Sequence, residues 1–152
     1  MAPSHQFAVS DPHFQQRVRE SFARQGLMRH LGARLTDLKP GAAELRTAFR
    51  EELTQQHGYF HAGVSGSLAD VACSYAAYTL MPADSSVLTV EYKINLMAPA
   101  IGEELIARAR VVRSGKTLKI CAADVYVRSG ENETHCATVL ATMMCLEGKS
   151  DR

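Results

Sequence analysis

The sequence predicts an α+β fold in which one antiparallel sheet curls around a buried helix. Three observations carry this. Four long strand-like stretches follow one another in the second half of the chain with only short turns between them, which favours antiparallel pairing. A helical stretch over residues 64–80 spreads small residues (Ser65, Gly66, Ala69, Ala72, Cys73, Ala76, Ala77) around its whole circumference, as a helix must when a sheet closes tightly on it. The 152 residues suit a single domain, 1–152. A chain of that size can bury about 70% of the surface it exposes when unfolded, with no metal or disulfide staple.

Each element follows from local pattern. Asp11 before Pro12 signals a helix start: an N-cap carboxylate accepts a free backbone N–H, and proline at the first helical position loses no hydrogen bond. Phe14, Val18 and Phe22 then recur every fourth residue among Arg17, Arg19, Glu20 and Arg24, so an amphipathic helix is expected over about 12–26, ending near Gly26. Residues 31–38 and 42–50 alternate apolar and polar around Lys39-Pro40-Gly41, a turn tripeptide, and read as a hairpin. Residues 55–63 hold glycines and histidines with no sustained period and form a loop. The buried helix is expected over about 63–81, since Pro82 cannot continue it. Strands are expected at 86–96, 103–113, 117–127 and 134–146, read as a meander, with turn chemistry at 97–100, 114–116 and 129–132.

Composition narrows the function classes. Lys plus Arg number 17 against 16 Asp plus Glu, so there is no broad basic surface for nucleic acid and no polybasic arm for a membrane. No apolar run approaches the roughly 20 residues of a membrane span. The start MAPSHQFAVSDPHF lacks the basic and apolar blocks of a secretory signal. Cys73, Cys121, Cys136 and Cys145 are widely spaced among apolar neighbours, which suits reduced, buried thiols and a cytoplasmic protein.

One segment carries chemistry. A carboxylate at Asp70, inside an otherwise small and apolar helix, costs desolvation unless partners or a wet cleft offset it, and such placements mark sites. Ala62 and Gly63 lie at the expected start of the same helix, where free N–H groups and a partial positive charge suit an oxyanion. The residues Gln55-Gln56-His57-Gly58-Tyr59-Phe60-His61-Ala62-Gly63, then Leu68-Ala69-Asp70-Val71-Ala72, with Met97-Ala98-Pro99-Ala100 and Ser114-Gly115-Lys116-Thr117-Leu118 later, resemble the phenylacetate-degradation (PaaI-like) thioesterases of the hotdog fold. The resemblance spans residues 50–146.

That resemblance implies hydrolysis of acyl-CoA, or aryl-acyl-CoA, to acid and CoA, with no metal and no redox cofactor. It implies that Asp70 is base or nucleophile, that it faces the Ala62 and Gly63 donors of a neighbouring subunit, and that the chain forms a dimer, commonly doubled to a homotetramer. Gln55 stands where the family has Asn, to orient water or the thioester oxygen, and Ala62 replaces the family's first glycine. His61 matches the family histidine and shapes the turn; Thr89 matches a Ser or Thr position beside Asp70.

Other readings stand beside it. A solvated or purely structural Asp70, a hotdog-fold enoyl-CoA hydratase, and a silent acyl-CoA or small-ligand binding module use the same residues. His57 and His61, four apart, invite a metal reading that the glycine between them weakens. Cys73 suits a core thiol better than a nucleophile, and Tyr75 and Tyr78 either line an acyl pocket or pack on the sheet. Among Arg108, Arg110, Arg113, Lys116 and Lys119, Arg113 and Lys116 are the candidate CoA-phosphate contacts.

Overall fold

The computed structural model describes residues 7–151; residues 1–6, where the N-terminal stretch read as non-secretory begins, and residue 152 lie outside the described residues. Helix α1 (Phe14–Ala23) buries Phe14 and Val18 and packs Phe22 on the core, so the fourth-residue apolar stripe faces inward. It starts later than Asp11-Pro12 suggests. Asp11 is buried, its Oδ1 accepting from the His13 N–H at 2.9 Å and its Oδ2 from Arg17 Nε at 2.8 Å, so the carboxylate organises an entry turn before the helix proper.

Residues 26–31 correct the expected order. They form a second helix, α2 (Gly26–Leu31), rather than a helix end and a strand start. Met28 and Leu31, three apart, both face the core, and Gly32 stops the helix at φ 67°, the left-handed conformation glycine adopts without strain. The expected hairpin therefore begins at Arg34, as β1 (Arg34–Lys39) and β2 (Ala42–Ala48) around Pro40-Gly41. A short 3-10 turn (Glu51–Leu53) and a loop lead into α3 (Ala62–Tyr78), which ends before the expected residue 81. Four strands follow: β3 (Ser85–Leu96), β4 (Glu104–Ser114), β5 (Leu118–Ser129) and β6 (Asn132–Glu147).

All six strands pair antiparallel in the order β1-β2-β4-β5-β6-β3, and every strand except β1 packs on α3. Ala69, Ala72, Cys73, Ala76 and Ala77 are fully buried there, because only side chains this short let the sheet close around the helix. Arg17 fixes α1 to the far end of α3. Its guanidinium donates to the carbonyls of Tyr78, Met81 and Pro82 at 3.2, 2.9 and 3.0 Å and lies 4.1 Å over the Tyr78 ring, a cation where the helix dipole is negative.

The meander holds for β4, β5 and β6 but not for β3, which pairs with β6 at the sheet edge. The link after β3 crosses the ends of β6 and β5: Met97 and Ala98 N–H donate to Cys136 O at 2.9 and 3.3 Å, and Glu103 N–H to Arg128 O at 2.8 Å. Gly102 permits the crossing, because a Cβ there would collide with the Arg128 carbonyl and the Val127 side chain. The two edges differ. Strand β1 is short, bulged and charged, whereas β3 is twelve residues long and, beside its own bulge and the charges of Glu91 and Lys93, exposes Leu88, Val90, Tyr92 and Leu96.

Candidate active site

Asp70 lies about two turns into α3, half-buried, between the fully buried Ala69 and the buried Val71. Thr89 on β3 donates its hydroxyl to Asp70 Oδ1 at 2.7 Å and lies 3.4 Å from Ser74 Oγ. The β3 bulge between Thr89 and Glu91 falls at this point; bulges of this kind re-aim a side chain beside a site. Burial pushes the Asp70 carboxyl above the ordinary carboxylate value, and the Thr89 hydrogen bond partly opposes that shift. A cavity of about 390 Å³ opens beside the pair, lined also by Ser21, Gln25, Ser74, Tyr75 and Val87.

The start of α3 departs from expectation in one respect. His61 is the N-cap, and its Nδ1 accepts the Gly63 N–H at 2.8 Å. Gly63 is therefore capped within its own chain, and the Ala62 N–H is left as the donor with no protein acceptor among the described residues. Gln55 closes the preceding loop: its N–H donates to Tyr59 O at 2.9 Å, its carbonyl accepts from Gly58 N–H at 3.0 Å, and its Oε1 accepts from the His57 N–H. Its Nε2 remains as a donor. Gln55 and Ala62 line a second cavity of about 400 Å³ with Tyr59, Ser65, Leu96 and Met97.

The structure thus makes two pairs, Asp70 with Thr89 and Gln55 with Ala62, and keeps them apart. Eight residues of helix separate Ala62 from Asp70, about 12 Å of rise. The two pairs line different cavities. No one carbonyl within a single chain can meet both.

The remaining candidates sort by their contacts. Cys73 is fully buried and burial pushes its thiol up, which suits a core residue. Tyr78 donates to Ser85 O at 2.9 Å and packs, whereas Tyr75 lines the Asp70 cavity. Lys119 is buried at 3% exposure and donates to Gly115 O at 3.0 Å, so it offers no phosphate contact. Arg108 is held by Glu44 and Glu133 and Arg110 by Asp124. Arg113 and Lys116 are exposed and make no ion pair among the described residues. A third cavity, about 510 Å³ between α1 and the segment after β6, contains neither Asp70 nor Ala62.

Ser21, Gln25 and Arg17 were missed by sequence reasoning. Ser21 gave a usable signal: it sits three residues after Val18 on the apolar stripe, where a hydroxyl needs a partner, and it finds the buried Tyr75 hydroxyl at 3.1 Å.

Comparison with known proteins adds the wider frame. Residues 57–134, just over half of the chain, match the family model described as the thioesterase superfamily. A thioesterase family protein from Silicibacter pomeroyi of known structure is 47% identical, with 89% of this chain and 99% of that one covered at a TM-score of 0.87. Human acyl-coenzyme A thioesterase 13 is 29% identical over 92 residues, 60% of this chain and 65% of that protein. The structure of the Escherichia coli PaaI protein, from the phenylacetic acid degradation operon, overlays at a TM-score of 0.81 over 93% of this chain and 99% of that one; at 18% identity it speaks for the fold.

Proposed function

The chain belongs to the thioesterase superfamily and is a thioester hydrolase, and from that premise we propose that it cleaves acyl-CoA esters to the free acid and CoA with Asp70 as base or nucleophile. The observation that carries the reading is the 2.7 Å hydrogen bond from Thr89 to a half-buried Asp70 beside an open cavity. In the base reading, Asp70 takes a proton from water while the water oxygen attacks the thioester carbon. In the nucleophile reading, Asp70 Oδ attacks and water then hydrolyses the mixed anhydride. Either way the Ala62 N–H and Gln55 Nε2 hold the oxyanion, and its collapse breaks the C–S bond and expels CoA thiolate, which is then protonated.

Separation of the two pairs calls for a second copy. Thr89 and Leu96 are seven residues apart on β3, about 23 Å of strand. If two copies pair their β3 edges antiparallel about a two-fold axis near Tyr92, Thr89 of one copy falls opposite Leu96 of the other, whose cavity holds Gln55 and Ala62. Two identical sites form, each shared. The long, apolar β3 edge supports this dimer, and a doubled tetramer follows the family resemblance. Arg113 and Lys116, unpaired beside the β4–β5 turn, are the CoA phosphate contacts in this reading. The four buried free thiols suit the cytoplasm, and residues 1–152 act as one catalytic unit.

Thiol release by Asp70→Ala and Asp70→Asn on short, long and aromatic CoA esters tests the assignment. A fall in kcat of at least about a hundredfold in both is expected. Undiminished turnover in both would sink it.

A further inference from the structure

Strand β5 turns Lys119, Cys121, Ala123, Val125 and Val127 toward α3, all of them buried, and Lys119 alone of the five is a charged side chain. Its one hydrogen bond among the described residues runs to the Gly115 carbonyl at 3.0 Å. An ammonium with three N–H groups is costly to bury without a carboxylate, and burial lowers the Lys119 pKa accordingly. A methionine would fill the same space without that cost, so the cation is to be explained by what it holds. It holds the turn between β4 and β5. The Gly115 N–H donates to Leu118 O at 2.9 Å, the Cys145 N–H donates to Thr117 O at 2.8 Å, and a Cβ on Gly115 would stand 2.7 Å from the Leu118 carbonyl oxygen. The register of β4 on β5 slips just before the turn, between Val111 and Arg113, so the strand ladder alone sets it loosely.

From this geometry we infer that Lys119 is a positioning residue for the phosphate end of the substrate: it ties the Gly115 carbonyl from beneath and so fixes the turn from which Arg113 and Lys116 reach the phosphates. It rests on the proposed phosphate role of those two residues and goes beyond it in naming what aims them. Lys119 itself is too buried to meet a phosphate. Arg113 and Lys116 are exposed and long, and such side chains lose binding energy when the backbone under them wanders. A charge-assisted bond to the Gly115 carbonyl restrains that backbone about twice as strongly as a neutral donor would. The place in the sheet fits the task. Lys119 pairs in register with Met143 and Met143 with Thr89, so the root of the turn lies two strand spacings, about 10 Å, from the Thr89–Asp70 pair. That is within reach of the pantetheine arm of an ester whose carbonyl stands at Asp70.

The test compares one acyl group carried on CoA and on pantetheine, which lacks the phosphates. Lys119→Met should raise KM for the CoA ester about tenfold relative to the pantetheine ester, with kcat for the two falling in step or not at all. Gly115→Ala, which pushes on the Leu118 carbonyl from the other side of the turn, should give the same selective rise and stands in if the Met variant folds poorly. The double variant Arg113→Ala with Lys116→Ala supplies the reference. It should show the rise too, and adding Lys119→Met to it should change KM little further, because nothing is left to aim. A rise shared equally by both carriers in Lys119→Met and Gly115→Ala reports lost packing and overturns the inference, as does a Lys119→Met effect that adds in full to that of the double variant. A double variant with native KM for the CoA ester removes the turn from phosphate binding and the inference with it, while leaving the Asp70 assignment intact. Titration calorimetry with the non-cleavable thioether analogues on both carriers reads the same contrast in binding alone. A selective loss there without thiol release from the native protein upholds the role of Lys119 and overturns the hydrolase role of Asp70.

Discussion

His61 Nδ1 accepts the Gly63 N–H at 2.8 Å, so one of the two amides expected to face the substrate is spent on capping its own helix. The Ala62 N–H one residue earlier is the one the cap leaves open. An N-cap side chain contributes about 1 kcal/mol, and here it also fixes the orientation of that neighbouring amide.

His61→Ala should therefore lower stability by about 1 kcal/mol, a few degrees in Tm, and lower kcat as the first turn frays. Asn caps helices well without an imidazole, so His61→Asn should restore both. Thermal unfolding and thiol-release assays on the two variants check this. Restored Tm with kcat still lost in the Asn variant would mean that the ring itself takes part in catalysis.

Thr89 acts on the charge of Asp70. Its hydroxyl stabilises the carboxylate, so without it burial raises the Asp70 carboxyl further. In Thr89→Val the acid limb of the kcat/KM profile should move to higher pH and the plateau should fall about tenfold, whereas Thr89→Ser should keep the native profile. An acid limb that stays in place in the Val variant would show that the hydroxyl does not tune the base.

The same burial sets a stability cost at the site. Because the folded-state value of Asp70 lies above its unfolded value, the stability linked to its proton is full below about pH 4 and is lost as pH rises through the folded value. Asp70→Asn removes that charge. The variant should melt about 2 °C above the native protein at pH 7, with the gap closing near pH 3, where both side chains are neutral. A scan of Tm against pH for both proteins decides it, and a native protein that is the more stable of the two at pH 7 would show the carboxylate to be structurally compensated.

How much of this was legible in the sequence follows the range of each interaction. The Phe14, Val18, Phe22 stripe, the Pro40-Gly41 turn and the small-residue surface of α3 are local patterns, and each appears where expected. Asp70 stood out because a charge among alanines has no local excuse. The pairing of β3 with β6 was not legible, since alternation is the same whichever strand lies alongside; it goes with a link that crosses the sheet at Cys136 and Arg128. Leu31 was read as the start of the hairpin and instead ends α2, because Gly32 at positive φ closes the helix after it. Whether the Gly63 N–H and Gln55 Oε1 were free was equally hidden, because the His61 ring and the His57 N–H reach them through rotamers and loop geometry that residue identity does not report.

The proposed sharing of the site between two copies makes a prediction that no single-chain site can imitate. Ala62 is the first residue of α3, and His61 before it is extended at ψ 140°, a backbone that tolerates a following proline. Ala62→Pro therefore deletes the N–H while keeping the helix, and should cut kcat by about a hundredfold. Asp70→Ala removes the carboxylate from the other half of the site. When the two variants are unfolded together and refolded at equal amounts, about half the dimers contain one of each. In such a mixed dimer one site pairs the Asp70 of the Ala62→Pro subunit with the Ala62 N–H of the Asp70→Ala subunit and is intact, and the other site is doubly broken. Recovery should approach a quarter of native activity, since about half of the dimers carry one good site of two. Mixing without unfolding should recover little until subunits exchange. If the refolded mixture is no more active than its components while sedimentation shows mixed dimers present, Asp70 and Ala62 do not meet across subunits, and the β3-paired arrangement must be abandoned.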